Sequence, residues 1–209
     1  MRRMLAALAA CLLLAPVLAS CSSGPGTTVG GSASGASGRG AVHVDLDTPQ
    51  LRSLKAAAGV APCRPGTASN QLPAVRLRCL GGGRSVALDE LRGPLVVNLW
   101  AQWCGPCRTE LPFYQELHRK GRGIVRVLGV DYLDTQPEAA LQLVKQTGVT
   151  YPLLADPGGE LRADLRVRGL PGIAFVAADG SVSTEFQSVR SYAELRDLVQ
   201  QHLHVKLPA

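Results

Sequence analysis

Short runs of apolar residues in the second half of the chain predict its strands. PLVVNLW at residues 94–100 and GIVRVLGVDYL at 123–133 are nearly continuous in Val and Leu, as strands buried on both faces are. VRLRCL at 75–80 alternates apolar and polar residues, and glycines at 81–83 followed by SVALDEL predict a second strand after a turn. We therefore expect an N-terminal β-hairpin ahead of two buried central strands.

Helical patterns lie between and after these strands. Residues 137–148 begin with proline and end with glycine, and Ser191 is a good N-cap for the amphipathic segment behind it. The predicted helices are residues 48–60, 108–120 with a kink at Pro112, 137–148, 191–203 and a short helix after the strand within 151–167. GIAFVAADGSVSTEFQ at 172–187 reads as a hairpin that turns at Asp179–Gly180. Alternating strands and helices followed by a hairpin and a helix predict an α/β fold, a mixed sheet with helices on both faces.

The first 45 residues differ from the rest of the chain. Arg2 and Arg3 precede an apolar run at 4–18 that is short for a membrane span, a layout typical of a secretory signal. The sequence LASC that ends at Cys21 resembles a bacterial lipobox, which implies cleavage before Cys21 and lipid attachment to its sulfur. An ordinary cleaved signal and an uncleaved anchor are the alternatives.

These features divide the chain. Residues 1–20 are the expected lipoprotein signal peptide, and residues 21–45 the lipidated cysteine and a Gly/Ser-rich flexible tether. Residues 46–209 form the expected folded domain. The lipid would hold this domain at the extracytoplasmic face of the cell membrane.

Composition and charge exclude some classes of function. Hydrophobic residues make up 46% of the chain and charged residues 18%, which argues against wholesale disorder. The net charge is +6, and it falls to +4 without Arg2 and Arg3. The remaining basic residues are scattered and aromatic residues are few, so we expect no nucleic-acid partner.

The sequence WCGPC at residues 103–107 carries the candidate chemistry. A buried strand ends just before Cys104 and a helix starts at about the same place, so Cys104 is expected near a helix N-terminus. The free N–H groups and the dipole there stabilise a thiolate. Cys107 lies one turn further on, close enough to bond Cys104. Cys104 would attack a partner's disulfide and Cys107 would resolve the mixed disulfide.

Two other interpretations of this pair are weaker. A structural zinc site needs about four ligands, and the chain has a single Cys-x-x-Cys, with His118, His202 and His204 poorly placed to complete it. A static clip is disfavoured because so small a loop restricts the unfolded chain little. We expect a redox couple, with no metal and no separate cofactor.

VVNLWAQWCGPCRTELP at 96–112 resembles the active-site strand and helix of thioredoxin-like proteins, and most of all the membrane-tethered TlpA/ResA/CcmG (DsbE) group. The resemblance covers about residues 80–203 and implies a thioredoxin-like domain. VRGLPG at 167–172 matches the family's segment whose proline, here Pro171, follows a cis peptide bond and faces the cysteines. The resemblance assigns substrate binding to Trp103, Leu170 and Pro171, with the Leu170 backbone pairing an extended peptide. Thioredoxins more often carry a β-branched residue in place of Leu170.

Two polar residues separate this chain from thioredoxin proper. Asn98 stands where thioredoxins have a buried aspartate that assists proton transfer, and asparagine cannot titrate. Glu110 lies three residues past Cys107 and matches an active-site glutamate of ResA-like proteins. We hypothesise that Glu110 exchanges protons with the thiols; the alternative is a first-turn glutamate favoured by the helix dipole.

Cys63 and Cys79 remain, since Cys11 lies in the signal. A bond between them would close a loop of 15 residues and contribute about 3 kcal/mol. An extracytoplasmic location permits such bonds. We expect a structural disulfide; free thiols or a second redox pair are the alternatives.

The resemblance implies a protein disulfide reductase that acts on apocytochrome c during cytochrome c maturation, with electrons from a membrane partner of the CcdA type. An oxidant that introduces disulfides into secreted proteins is the main alternative. A thioredoxin fold can also serve as a non-catalytic binding module.

Overall fold

A mixed sheet organises residues 42–209, the part of the chain that the computed structural model describes. Its strands are β1 (Arg76–Cys79), β2 (Val86–Ala87), β3 (Leu95–Trp100), β4 (Arg126–Tyr132), β5 (Leu153–Asp156), β6 (Gly172–Val176) and β7 (Val182–Glu185). The α-helices are α1 (Pro49–Ala57), α2 (Gly105–Lys120), α3 (Pro137–Thr147) and α4 (Tyr192–Leu203), and Leu88–Glu90 form a single 3₁₀ turn. The strand order is β2-β1-β5-β4-β3-β6-β7. β3, β4 and β5 are parallel, and every other pairing is antiparallel.

This architecture confirms the thioredoxin-like α/β fold and the N-terminal β-hairpin. β1 and β2 form the hairpin, with Arg76 opposite Ala87. All six residues of β3 are buried, as its continuous apolar run predicts. Ser191 Oγ accepts the Glu194 N–H at the start of α4, and Gly148 ends α3 in the left-handed conformation. α2 continues through Pro112 as one helix.

The expectation of helices on both faces is wrong in this detail. Buried side chains of all four helices join one hydrophobic cluster, together with Val96 and Trp100 of β3. The opposite face, with Val97 and Leu99, is covered by the 3₁₀ turn, which contributes Leu88, and by irregular segments that contribute Leu72 and Leu161. The chain steps from β3 to β4 to β5 in one direction across the sheet. Two right-handed crossovers in the same direction place α2 and α3 on the same side.

The short helix expected after β5 is also absent. Residues 160–166 form consecutive turns instead. Gly159 has a φ of +70° and Arg166 one of +51°, so right-handed helical backbone could extend at most over the residues between them, 160–165. Asp156 accepts the Glu160 and Leu161 N–H groups and fixes the first of these turns.

The expected signal peptide, Cys21 and most of the tether lie outside the described residues. Among residues 42–209, no helix combines the length and the apolar character that a membrane crossing requires.

Candidate active site

Cys104 and Cys107 lie where β3 leads into α2. Residues 101–104, called here the active-site loop, connect the two elements. Cys104 is the N-cap of α2, and its Sγ accepts the Cys107 N–H at 3.3 Å. The two cysteines form a disulfide, with their Cα atoms 5.3 Å apart. The same N–H and the helix N-terminus would stabilise a Cys104 thiolate once the bond is reduced.

Trp103 is the exposed apolar feature beside the pair. Its side chain is 55% exposed, whereas Cys104 and Cys107 are 5% and 2% exposed. The indole N–H donates to the Leu133 carbonyl oxygen at 3.2 Å, which orients the ring. A partner that approaches the nearly buried sulfurs therefore meets the exposed indole of Trp103 beside them.

Leu170 and Pro171 approach the same end of the sheet. The Leu170–Pro171 peptide bond is cis, as the resemblance implies. Register places Gly172 of β6 opposite Leu99 of β3, so Pro171 lies beside the end of the strand that carries the active-site loop. A groove of about 740 Å³ adjoins Leu170 and Pro171 and runs along β7. A second cis bond, Gly93–Pro94, precedes β3 and was not predicted from the sequence.

Asn98 is buried within the helix-covered face of the sheet. Its Nδ2 donates to the Tyr151 hydroxyl at 3.4 Å. Burial raises the pKa of Tyr151 well above its ordinary value, so that hydroxyl stays protonated. Neither group can serve as an acid or base near neutral pH.

Glu110 is a buried titratable residue of α2, three residues after Cys107. Its side chain is only 2% exposed, and Oε1 accepts the Val189 N–H at 3.0 Å. Oε2 makes no hydrogen bond with any residue of 42–209. Burial raises the pKa of Glu110 from 4.5 to about 7, although the Val189 hydrogen bond acts in the opposite direction. Glu110 is therefore able to gain or lose a proton at neutral pH.

This shift predicts how stability depends on pH. Because the pKa of Glu110 is higher in the folded state, the stabilising protonated form is complete below pH 4.5 and lost as pH rises through 7. Glu110→Gln should therefore stabilise the oxidised protein at pH 8 by up to about 3 kcal/mol, and much less at pH 4.5. Urea unfolding at both values measures this difference.

Glu116→Gln is the matched control, since Glu116 lies on the same helix in a surface ion pair with Lys120. Its effect should change far less between the two pH values. An equal effect of Glu110→Gln at pH 4.5 and pH 8 would contradict the assigned shift.

Cys63 and Cys79 are joined by a second disulfide, with their Cα atoms 6.0 Å apart. Both are buried, and the bond ties the segment before β1 to the last residue of that strand. The buried Lys55 Nζ donates to Cys79 Sγ at 2.9 Å and to the Gly82 carbonyl at 2.7 Å. Burial lowers the pKa of Lys55, with the charge of Asp47 acting in the opposite direction.

Sequence reasoning missed the polar groups behind the active-site loop. Asp134 accepts the Gln102 N–H at 2.9 Å, and Asp131 is buried next to it at the end of β4. A signal for them was present in the sequence: GVDYLD has two aspartates at the carboxyl end of a predicted buried strand. Aspartates are rarely buried without a partner, so this pair pointed to a role. Among residues 42–209, no group of three or more His, Cys, Asp or Glu side chains could hold a metal ion.

Comparison with known proteins agrees with this geometry. Residues 68–184 match the AhpC/TSA family. The thiol:disulfide interchange protein HelX of Rhodobacter capsulatus is 36% identical over 120 residues, which cover 56% of this chain and 66% of HelX. The interchange protein DsbE of Pseudomonas fluorescens biotype C is 34% identical over 127 residues, 60% of this chain and 69% of DsbE. The matches thus span about two thirds of these relatives.

A solved structure shows the same fold. The structure of Mycobacterium tuberculosis DsbF in mixed oxidised and reduced forms has a TM-score of 0.56 and 30% sequence identity. The match covers 63% of this chain and 96% of DsbF. The chain belongs to the AhpC/TSA family, and its thioredoxin-like domain is that of a thiol–disulfide oxidoreductase.

Proposed function

We propose that the protein reduces disulfides in other proteins through Cys104 and Cys107, and that apocytochrome c is its substrate class. The observation that carries the proposal is the position of Cys104 as the N-cap of α2, with the Cys107 N–H directed at its sulfur. That position favours a thiolate, which is the attacking species in disulfide exchange.

The reduced enzyme would act in two steps. The Cys104 thiolate attacks one sulfur of the partner's disulfide, that bond breaks, and the other partner sulfur leaves as a thiolate that takes up a proton. Cys107 then loses its proton and attacks Cys104 Sγ, which releases the second partner thiolate. Two electrons pass to the partner, and the Cys104–Cys107 disulfide remains. A dithiol donor must reduce this disulfide before the next cycle.

Glu110 fits the proton transfers of the second step. It lies one turn beyond Cys107 on α2, is buried, and has one carboxyl oxygen without a hydrogen bond among residues 42–209. With a pKa of about 7, it could accept the proton of Cys107 and return it to a leaving thiolate. Asn98 of β3 stands where thioredoxins have the aspartate for this task, and asparagine cannot titrate. Glu110, the buried acid of α2, is therefore assigned the task here.

Trp103, Leu170 and Pro171 would bind the partner. The exposed indole offers an apolar contact, and the backbone of Leu170 stands next to the adjoining groove. An extended segment around the partner's cysteine could pair there and present its sulfur to Cys104.

Apocytochrome c is supported by the resemblance to the TlpA/ResA/CcmG group and by the relatives named HelX, DsbE and ResA. Gly-Pro between the cysteines is the thioredoxin dipeptide, which favours a reducing couple.

We also infer where the protein is placed. Cys21 would carry the lipid, the domain would lie at the extracytoplasmic face of the membrane, and a CcdA-type protein would be the electron donor. Globomycin treatment of the producing cells should leave a larger precursor of this protein. An unchanged protein band on electrophoresis would contradict the lipid anchor.

The reduction potential of the Cys104–Cys107 couple tests the direction of electron flow. Equilibration with dithiothreitol should give a value near that of thioredoxin, about −270 mV. A value near that of DsbA, about −120 mV, would assign the protein to disulfide formation instead. Absence of insulin reduction by the fully reduced protein would favour a binding module.

A further inference from the structure

Two buried aspartates lie directly behind the active-site loop. Asp131 and Asp134 are 1% and 2% exposed. Asp131 is next to last in β4, and the parallel register places it opposite Trp100, the last residue of β3. The active-site loop begins at the following residue, so the carboxyl pair and the loop share one end of the sheet.

Asp134 holds the loop through its backbone. Asp134 Oδ2 accepts the N–H of Gln102 at 2.9 Å, and Oδ1 accepts that of Gln136 at 2.9 Å. Gln102 is two residues before Cys104. The neighbouring Leu133 carbonyl accepts the indole N–H of Trp103 at 3.2 Å. The segment after β4 therefore anchors two successive residues that precede the nucleophile.

Asp131 has a different environment. Its Oδ1 makes no hydrogen bond with any residue of 42–209, and the carboxyl of Asp134 lies close enough to act on its pKa. Burial, followed by the charge of Asp134, raises the pKa of Asp131 well above its ordinary value. Two adjacent buried carboxyls rarely ionise together, so Asp131, whose pKa is raised, is the member that keeps its proton and can donate it to Asp134.

Among residues 42–209, Asp134 is the one charged group that acts on the pKa of Asp131. The register places Trp100 and Ala155 beside Asp131, and neither titrates. Asp156, at the end of β5, accepts backbone N–H groups of the turn that follows. The helices on this face carry further titratable groups. Lys55 of α1 is hydrogen-bonded to Cys79 and Gly82. α2 carries the cysteines and Glu110, and α3 carries the exposed Glu138 and Lys145. Of these groups, none perturbs Asp131 as Asp134 does.

We propose that Asp131 is a positioning residue for Cys104: it shares one proton with Asp134 and thereby keeps Asp134 in place to hold the backbone of the active-site loop. This inference rests on the proposed function, because Cys104 is the nucleophile there. Loss of the shared proton at alkaline pH would leave two buried carboxylates in contact. Their repulsion would release the Gln102 N–H and misplace the nucleophile.

Two substitutions separate the shared proton from simple packing. Asp131→Leu keeps a side chain of similar size but cannot donate to Asp134. Asp131→Asn cannot ionise, yet its amide N–H can donate to Asp134. The rate of Cys104 alkylation by iodoacetamide at pH 7 should fall about tenfold or more in Asp131→Leu. Asp131→Asn should restore most of it.

The amide of Gln102 reports on the anchor itself. In ¹⁵N–¹H spectra of the wild-type protein, its resonance should shift as alkaline pH removes the shared proton. Asp131→Asn should abolish that titration, and Asp131→Leu should displace the resonance already at pH 7. Asp156→Asn is the matched control, since it removes a buried carboxylate that holds a turn one strand away. It should lower stability without affecting either readout.

Three results would overturn the inference. They are an alkylation rate in Asp131→Leu equal to that of the wild type, equal losses in Asp131→Leu and Asp131→Asn, or a Gln102 titration that persists in Asp131→Asn. These readouts use no protein substrate. A wild-type protein that fails to reduce insulin would count against the proposed function, while the Gln102 titration would still decide the role of Asp131.

Discussion

Replacing Cys104 with serine should reduce the rate of insulin reduction by on the order of 10³-fold or more, whereas Cys107→Ser should leave the first step intact and accumulate a mixed disulfide. The N-cap position gives Cys104 the helix N-terminus and the Cys107 N–H, which stabilise its thiolate. A serine hydroxyl at the same place stays protonated. Without Cys107, no free thiol of residues 42–209 can resolve the bond to the partner, because Cys63 and Cys79 are bonded to each other.

The two variants control for each other. Each replaces one sulfur of the same disulfide with oxygen, so the two variants should lose similar amounts of stability. They should differ in which step of the exchange reaction fails. A peptide with two bonded cysteines, incubated with each reduced variant, should form a covalent adduct with Cys107→Ser alone, seen by non-reducing electrophoresis and mass spectrometry. An adduct with Cys104→Ser instead would reverse the assigned roles, and no adduct with either would contradict the exchange mechanism.

The elements that position the cysteines could be predicted because their signals are local. The apolar run of β3 and the Cys-x-x-Cys behind it specify a buried strand followed by a helix N-terminus, and the structure has both. The same holds for the β1–β2 hairpin, whose glycine turn is explicit in the sequence.

The surroundings of the site depend on contacts between distant residues. Glu110 bonds the backbone of Val189, and Gln102 is anchored by Asp134, pairs separated by 79 and 32 positions. No periodicity or spacing rule reports such contacts. The placement of the helices on one face also follows from strand order, which the hydrophobic pattern does not encode. The end of the segment after β5 was missed because Arg166 adopts a positive φ that its residue type does not suggest.

The disulfide between Cys63 and Cys79 is expected to carry a large share of the stability. It joins residues 16 positions apart, so the double variant Cys63→Ala/Cys79→Ala should lose about 3 kcal/mol in the free energy of unfolding. Urea unfolding of both proteins, with Cys104–Cys107 kept oxidised, gives this difference. Restriction of the unfolded chain is the main reason in the chain-entropy model.

The same variant distinguishes a structural bond from a second redox pair. Both sulfurs are buried, and Lys55 Nζ contacts Cys79 Sγ from within the fold, so a partner protein has no direct access to this bond. The double variant should therefore retain the wild-type reduction potential at Cys104–Cys107 and reduce insulin at the wild-type rate below its unfolding temperature. A large loss of turnover with an unchanged fold would show that Cys63 and Cys79 relay electrons. A loss of stability below about 1 kcal/mol would show that the loop is already restricted before the bond forms.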